Sequence, residues 1–475
     1  MTRYQHLATL LAQRIQQGLY RPGERLPSVR ILSQEHGVSI STVQQAYHLL
    51  EEQMLISPQP RSGYFVSARY ASPPVPAITR PAQRPVEITH WDAVRGLLDV
   101  RKESDVMQLG SGMPDVTSTS LKPLWKIISR QGMKQDASLL QYGGLLGVKA
   151  LREQIARLAV DGGCRLSADE IVTTTGCQEA LFLCLRAVCQ PGDIIAVESP
   201  TFYGMMQTLR SYGVKVIEIP TDSVNGLSLE ALELALDQWP IKAVFVVPNC
   251  NNPLGFIMPE ARKRGLMTLA QRFDIAVIED DVYGELAYEY PRPMTLKSLD
   301  DDGRVLLCSS FSKVMAPGLR VGWVAPGRYF DRVLHMKYVN SGGGVIQTQA
   351  AVAEFIRQGH YLPHLRRMRT QYQRNQCRFT SFVRHYFPEG LCVSRPQGGF
   401  LMWIELPEAF DGIRLNRQLA ERDTQVAVGS LFSASGKYRN CLRLNYALPC
   451  TEKTERALKM IGEEIEREMA LACKA

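Results

Sequence analysis

The sequence predicts a small N-terminal winged helix-turn-helix, a proline-containing linker, and then a large α/β domain followed by a smaller α+β domain. Three observations support this prediction. Residues 1–70 combine helical apolar periodicity with a short hairpin pattern, residues 71–90 contain five prolines, and β-branched runs alternate with helical segments from residue 91 onward. We therefore expect domains at residues 1–70, 91–344 and 345–475, joined by a linker at 71–90.

Length and composition are those of an ordinary globular protein. The chain has 475 residues, 45% of them hydrophobic and 21% charged, so it can bury a large core without disulfides or a structural metal. No apolar run approaches the roughly 18 residues of a membrane helix, and the first residues lack a leader pattern. Eleven cysteines include no CxxC pair, so we expect reduced thiols, no metal site and a cytoplasmic protein.

The winged-helix prediction follows from three helices and a hairpin. Helical spacing of leucines marks a first helix within residues 3–18, and Ser28 and Ser39 stand where N-caps would open a second and a third helix. The run MLISPQPRSGYFV indicates two short strands around a Pro/Gly turn. The third helix is expected to bury one apolar stripe, formed by Val43, Ala46, Tyr47 and Leu50.

The outward face of the third helix is a candidate DNA-reading surface. Residues at the start of a recognition helix meet base edges, and hydroxyl or amide side chains can hydrogen-bond there. Arginines in the same domain would neutralise phosphates. The candidates on the helix are Ser39, Ser41, Thr42 and Gln44, and the candidate arginines are Arg25, Arg30 and Arg61. An uncharged protein-docking module is the alternative that patterning alone leaves open.

The order PGERLPSVR, GVSISTVQQAYHLLEE and RSGYFV resembles the GntR-type winged helix. This resemblance implies that Arg30, the helix start at residues 39–42 and the wing glycine Gly63 bind DNA. Many members carry an arginine where Ile40 stands in this chain, so their base preference does not carry over.

The region after the linker alternates short buried strands with helices, which predicts a mainly parallel sheet covered on both faces. The proline-rich stretch before it could also be a long surface loop of one domain, although such loops are uncommon. The predicted strands are EIVTTTG, DIIAVES, KVIEIP, AVFVVP, IAVIED and VLLCSS.

Six separated motifs carry candidate chemistry. They are TTTGCQEAL with Gly176, Cys177 and Gln178; ESPTFYG with Tyr203; PNCNNPLG with Asn252; IEDDVYGEL with Asp280 and Tyr283; SSFSKVMAPGLRVGW with Lys313 and Arg320; and CLRLNY with Arg443. Each alone has a structural explanation, such as a cap for Asp280, a solvated loop for Lys313 or a surface pair for Arg443. Together they supply an amine for a Schiff base, a carboxylate for a pyridine nitrogen and cations for a phosphate and a carboxylate. This combination predicts a pyridoxal 5′-phosphate (PLP) site.

The motif series from about Met107 onward resembles the fold-type I, aspartate-aminotransferase-like superfamily. By that resemblance Lys313 carries the internal aldimine, Asp280 pairs with the pyridinium nitrogen, and Arg443 binds the α-carboxylate of an amino acid. Asn252 and Tyr283 would hydrogen-bond the ring oxygen, and Tyr203 would stack on the ring. The phosphate ligands would be Cys177 and Gln178 through their loop, Ser310, Ser312, Arg320, and Tyr142 from a partner subunit. Cys177 replaces the hydroxyl or small residue that is usual at its position.

A GntR-type winged helix joined to this domain resembles the MocR-type bacterial regulators, which are typically homodimers that bind two DNA half-sites. The leading hypothesis is therefore a PLP-dependent transcriptional regulator that senses an amino acid, amine or pyridoxal species through a Schiff base at Lys313. Two alternatives remain at this stage: an aminotransferase acting on an amino acid and a 2-oxo acid, with DNA binding secondary, and a dimer scaffold without cofactor. The intact Lys313 and Asp280 disfavour the scaffold.

Overall fold

A computed structural model of the chain describes residues 3–53, 55–59, 62–67, 73–78, 84–88, 106–133 and 137–472. The chain forms two compact units. The first unit combines residues 1–74, 374–392 and 449–475, and the second combines residues 75–373 and 393–448. The domain boundaries near residues 70, 90 and 344 stay predictions.

The first unit contains the predicted winged helix-turn-helix. Its elements are α1 (Arg3–Gln16), α2 (Val29–Glu35), α3 (Ile40–Glu52), β1 (Ile56–Gln59) and β2 (Gly63–Val66). Both predicted caps are confirmed, because the hydroxyl of Ser28 accepts a hydrogen bond from Ile31 N and that of Ser39 accepts one from Thr42 N. The wing strands β1 and β2 pair antiparallel. Gly63 has φ +103°, a left-handed conformation that favours glycine.

The core of the first unit is the predicted apolar stripe of α3 packed on α1. Val43, Ala46, Tyr47 and Leu50 are fully buried together with Leu11. The Tyr47 hydroxyl donates to the Pro27 carbonyl, which ties α3 to the turn before α2. The Ser381 hydroxyl donates to the carbonyl of Gln53, so residues 374–392 pack on the C-terminal end of α3.

The second unit is built on an eight-stranded sheet. Its strands are β4 (Val172–Thr174), β5 (Ile194–Ser199), β6 (Lys215–Asp222), β7 (Gly226–Leu227), β8 (Ile241–Val246), β9 (Ala276–Asp280), β10 (Val305–Ser310) and β11 (Gly322–Ala325). Their order in the sheet is β4-β11-β10-β9-β8-β5-β6-β7. The six predicted strands are present, and β10, β9, β8, β5 and β6 run parallel to their neighbours. The structure adds β11, which pairs antiparallel with β10 and β4, and β7, which pairs antiparallel with β6.

Helices cover both faces of this sheet. Side chains alternate along each strand, so Ile195 and Val197 of β5 join one apolar cluster while Ile194 and Ala196 join the other. The helices of this region are α4 (Lys122–Met133), α5 (Lys149–Ala159), α6 (Cys177–Val188), α7 (Tyr203–Tyr212), α8 (Leu229–Gln238), α9 (Glu260–Arg272), α10 (Phe330–Asn340) and α11 (Ile346–Arg357).

The rest of the chain supplies two long helices and a small sheet. The elements not yet given are β3 (Met107–Gln108), α12 (Tyr361–Tyr386), β12 (Cys392–Val393), β13 (Leu401–Glu405), α13 (Gly412–Ala420), β14 (Thr424–Gln425), β15 (Ala427–Val428), β16 (Cys441–Asn445) and α14 (Glu452–Ala472). In the second unit β16 pairs antiparallel with both β13 and β15. In the described ranges, every helix is either too short or too polar to cross a bilayer.

Candidate functional site

Lys313 lies just beyond β10, with its amine inside the second unit. Its Nζ donates a hydrogen bond to the carbonyl of Gly112 at 2.8 Å. Burial disfavours the ammonium, and the nearby Arg443 adds to this effect, so the pKa of Lys313 falls to about 8. Near neutral pH a fraction of the molecules therefore carries Lys313 as a neutral amine, which is the form that attacks an aldehyde.

Asp280 is the last residue of β9 and is only 3% exposed. Its Oδ1 accepts hydrogen bonds from the Val282 backbone N–H at 3.3 Å and from the Cys177 thiol at 3.6 Å. Burial raises the pKa of Asp280 to about 7, and these two donors oppose the rise. Burial likewise raises the pKa of Cys177 well above its usual value, so the thiol is protonated and acts as the donor.

The neighbouring Asp281 occupies a different environment. Arg292 donates to Asp281 Oδ2, and Asn249 donates to its Oδ1 at 2.9 Å. Arg292 also donates to Glu285 at 2.7 Å. The side chains of Arg292, Asp281 and Glu285 are all largely buried. Both oxygens of Asp281 thus have strong donors within the protein, whereas Oδ1 of Asp280 accepts from the Val282 N–H and the weakly donating Cys177 thiol.

The loop before α6 places a glycine against an arginine. Gly176 has φ +82°, and a Cβ added to it would approach Nη2 of Arg320 to 2.6 Å. Arg320 Nη2 donates to the carbonyl of Thr175 at 2.8 Å, so its guanidinium lies against this loop. The first N–H groups of α6 lack intrahelical acceptors, and together with the cation they favour a phosphate.

Ser312 and Gln178 are two further residues predicted to hold the phosphate. The Ser312 hydroxyl is buried and has no hydrogen-bond partner among the described residues. Gln178, the second residue of α6, directs its amide to the Gly204 carbonyl at 2.9 Å and to Thr208 Oγ1. Gln178 can therefore contribute through its backbone N–H, as the motif predicts, while its side chain anchors α7.

Arg443 on β16 is 1% exposed and lies between aromatic rings. Its guanidinium carbon is 5.6 Å from the centre of the Tyr203 ring and 5.1 Å from that of Phe432. Nη1 donates to Asn252 Oδ1 at 3.2 Å and Nη2 to the Gly110 carbonyl at 2.5 Å. Its Nε has no partner among the residues that the structure describes, which leaves a buried donor for an anionic ligand.

Tyr283 completes the cluster that the structure brings together. A Cβ added at Gly112 would lie 3.4 Å from Lys313 Nζ and 3.7 Å from the Tyr283 hydroxyl, so both groups border the same glycine. Burial raises the pKa of Tyr283 above its usual value, which keeps the hydroxyl protonated and able to donate.

The remaining predicted cofactor residues are Tyr142 and Ser310. Tyr142 is fully exposed in the chain. Ser310 is buried at the end of β10 and lines a cavity of about 30 Å³ together with Asp281 and Arg292.

Sequence reasoning missed the segment after β3. The carbonyls of Gly110 and Gly112 accept from Arg443 and Lys313, and those of Ser111 and Met113 accept from Asn445 Nδ2 at 2.7 and 2.8 Å. The segment therefore connects the lysine and the arginine of the site. The Gly-x-Gly pair at positions 110–112 was its available signal, because paired glycines mark a close backbone approach.

The donor set fits PLP. Lys313 offers an amine of lowered pKa to an aldehyde, and Asp280 offers a buried carboxylate to a pyridine nitrogen. The glycine loop beside Arg320 and the Ser312 hydroxyl suit a phosphate, and Arg443 Nε suits a carboxylate. Neither the Ser312 hydroxyl nor Arg443 Nε has a hydrogen-bond partner among the described residues.

The predicted DNA-contacting residues lie on the winged helix of the first unit. Arg25, Arg30 and Gln44 are exposed, and the Arg25 Nε would lie 3.3 Å from a Cβ at Gly63, so this arginine borders the wing. Ser39, Ser41 and Thr42 form one hydroxyl cluster, with Ser39 Oγ 2.9 Å from Ser41 Oγ and 2.8 Å from Thr42 Oγ1. Arg61 lies outside the described residues.

Comparison with known families matches both parts of the chain. Residues 104–461 match the family "Aminotransferase class I and II", and residues 3–66 match "Bacterial regulatory proteins, gntR family". The first family thus covers the site around Lys313, and the second covers the winged helix.

Individual proteins resemble the whole chain or its larger part. The uncharacterized HTH-type transcriptional regulator YjiR of Escherichia coli strain K12 is 63% identical over 99% of this chain and 100% of its own length. The uncharacterized HTH-type transcriptional regulator YdcR of the same strain is 34% identical over 99% of this chain and 100% of its own. A crystal structure of Pyrococcus horikoshii kynurenine aminotransferase, in complex with PMP, KYN as substrates and KYA as products, superposes with a TM-score of 0.73 at 31% identity. The superposition covers 79% of this chain and 94% of the aminotransferase chain. The family and this PMP complex indicate PLP as the cofactor.

Proposed function

Because the chain belongs to the aminotransferase class I and II family and carries a gntR-type domain at its N-terminus, we propose that it is a transcriptional regulator whose DNA affinity depends on a PLP site. The observation that carries the proposal is the combination of an exposed recognition helix with a buried, reactive lysine in one chain. The relatives that match its full length are named as HTH-type transcriptional regulators, which favours a regulator over an aminotransferase. This architecture agrees with the MocR-type resemblance.

The residues of the second unit would divide the work of holding the cofactor. When bound, PLP supplies an aldehyde that bonds to a primary amine and a pyridine ring that withdraws electrons. Lys313 provides the amine, and Asp280 places a carboxylate at the ring nitrogen. Arg320, Ser310, Ser312 and the N–H groups of Cys177 and Gln178 would hold the phosphate. Asn252 and Tyr283 would hydrogen-bond the ring oxygen, and Tyr203 would stack on the ring.

The effector would be an amino acid, an amine or a pyridoxal species. Arg443 is the residue proposed to bind an α-carboxylate, since its buried Nε already lacks a partner among the described residues. A tenfold change in DNA affinity requires the effector to bind the two protein states with a difference of about 1.4 kcal/mol.

We also propose a homodimer. Tyr142 is fully exposed and would reach the phosphate of a partner subunit, while two winged helices would bind two half-sites of an operator. Action on chromosomal DNA places the protein in the cytoplasm.

The second candidate function is an aminotransferase, because the lysine that would move the substrate proton is intact. Incubation with amino-acid and 2-oxo-acid pools distinguishes the two functions. A regulator shows effector-dependent binding to its operator without steady-state turnover, whereas an aminotransferase shows turnover that DNA does not change.

Arg30→Ala and Gln44→Ala are expected to affect DNA binding in different ways. Loss of the Arg30 charge should weaken binding to every sequence and reduce the slope of log affinity against log salt by about one. Loss of the Gln44 amide should cost about 1–3 kcal/mol at one base pair and spare non-specific binding. Salt titrations on a selected site and on random DNA measure both effects.

Arg3→Ala serves as the matched control, since it removes the same charge from the exposed start of α1. If neither Arg30→Ala nor Gln44→Ala differs from wild type on either DNA, the helix does not read DNA and the aminotransferase becomes the better candidate.

Arg320→Ala is expected to weaken PLP binding roughly 10- to 100-fold, the range for losing charge-assisted hydrogen bonds. Gly176→Ala should act in the same direction, because its Cβ would meet the Arg320 guanidinium at 2.6 Å. Pyridoxal, which lacks the phosphate, is the control ligand. Equal losses for PLP and pyridoxal would remove both residues from the phosphate site.

A further inference from the structure

Ile40 is the first residue of α3 and leaves 48% of its surface exposed. Four other apolar residues of this helix, Val43, Ala46, Tyr47 and Leu50, are fully buried in the core of the first unit, and Leu49 is partly buried against it. Ile40 therefore adds nothing comparable to that core, and its apolar surface lies at the end of the helix that meets base edges in a helix-turn-helix.

The neighbouring hydroxyls are partly occupied within the helix start. Ser39 Oγ accepts the Thr42 N–H at 3.2 Å and lies within hydrogen-bond distance of the hydroxyls of Ser41 and Thr42. These three side chains stabilise the first turn of α3. Ile40 and Gln44 are four residues apart and both exposed, so they lie on the same face, one turn from each other.

An apolar group and an amide on one helix face match one kind of base pair. Thymine is the base that presents a methyl group in the major groove, and glutamine can bond the N6 and N7 of adenine. We infer that Ile40 contacts the 5-methyl group of a thymine, and that Ile40 and Gln44 together select A·T pairs at neighbouring operator positions. This inference rests on the proposed function and adds the chemistry that the recognition helix reads.

A second isoleucine provides a matched control. Ile31 on α2 is also 48% exposed, but the first helix of a helix-turn-helix crosses the DNA backbone rather than entering the groove. Truncation of Ile31 removes the same apolar surface without removing a base contact.

The test uses uracil, which differs from thymine only by the methyl group. Wild-type holoprotein first selects its site from a random duplex pool, and each dT of that site is then replaced singly by dU. Wild type should lose about fourfold affinity at one or two positions, the ratio that corresponds to about 0.8 kcal/mol for one buried methyl group. Ile40→Ala should bind dT and dU equally there, Ile40→Val should keep most of the difference, and Ile31→Ala should keep all of it.

The outcomes separate this inference from the proposed function. Sequence-selective binding that no dU replacement weakens, or a dU penalty that persists in Ile40→Ala, overturns the inference and leaves the regulator intact. Failure of wild type to select any sequence above random DNA overturns both. Far-UV circular dichroism verifies that each variant is folded before its affinities enter the comparison.

Discussion

Lys313→Ala is expected to abolish the yellow colour of the purified protein. The amine is buried within the second unit, and its pKa of about 8 leaves a neutral fraction at neutral pH. The bond between this amine and the PLP aldehyde extends the conjugation of the ring into the visible range, and alanine cannot form it. Absorption spectra of wild type and Lys313→Ala, each equilibrated with PLP and then desalted, measure the loss.

Lys337 supplies the matched control. It is also buried, its Nζ donates to the Leu145 carbonyl, and burial lowers its pKa to about 8 as well. Lys337→Met should keep the colour, because a lowered pKa without Asp280 and the glycine loop does not make a cofactor site. Borohydride reduction of wild type followed by peptide mapping should place the cofactor on the peptide that contains Lys313. An unchanged spectrum in Lys313→Ala would assign the colour to another amine.

The local parts of the fold could be predicted because each rests on neighbouring residues. Ser28 and Ser39 cap their helices, and Val43, Ala46, Tyr47 and Leu50 face the core as their spacing predicts. The six apolar runs of the sheet are strands because short β-branched segments buried on both faces have few other stable conformations.

The remainder depends on contacts between distant residues. β11 is only four residues long, and it is a strand because β10 and β4 lie on either side of it. Residues 374–392 and 449–475 belong to the same compact unit as the winged helix, and no local pattern in those segments indicates that association.

In the site, too, the residue types could be predicted from local motifs, whereas the contacts between distant residues could not. The motifs identified Lys313, Asp280, Asn252 and Arg443, but not that carbonyls of residues 110–113 would join the lysine to the arginine. Asp280 and Asp281 stand side by side at a strand end, and the family resemblance assigned Asp280 to the ring nitrogen. Arg292 lies 11 residues beyond Asp281 along the chain, so its pairing with that acid became evident only in the folded structure.

The environment of Asp280 opposes its charge while the cofactor is absent. Its pKa rises from 3.8 to about 7 on folding, because burial outweighs the bonds from Val282 and Cys177. Between these two values the folded protein keeps a proton that the unfolded chain releases. The free energy of unfolding therefore falls as pH rises through this range, by up to about 4 kcal/mol for roughly three pKa units.

Asp280→Asn is accordingly expected to stabilise the cofactor-free protein relative to wild type as pH rises from about 5 to about 8. With saturating PLP, wild type should instead be more stable than Asp280→Asn. The pyridinium then compensates the charge of the Asp280 carboxylate, and an amide cannot replace that carboxylate. Urea midpoints of both proteins, with and without PLP, measure the two effects.

Glu198→Gln is the control. Glu198 is a buried acid of pKa about 8 that accepts hydrogen bonds from Val247 and Asn251. Glu198→Gln should therefore gain stability at high pH, and PLP should not reverse that gain. Parallel pH profiles for wild type and Asp280→Asn would show that Asp280 is not the buried acid whose charge the cofactor compensates.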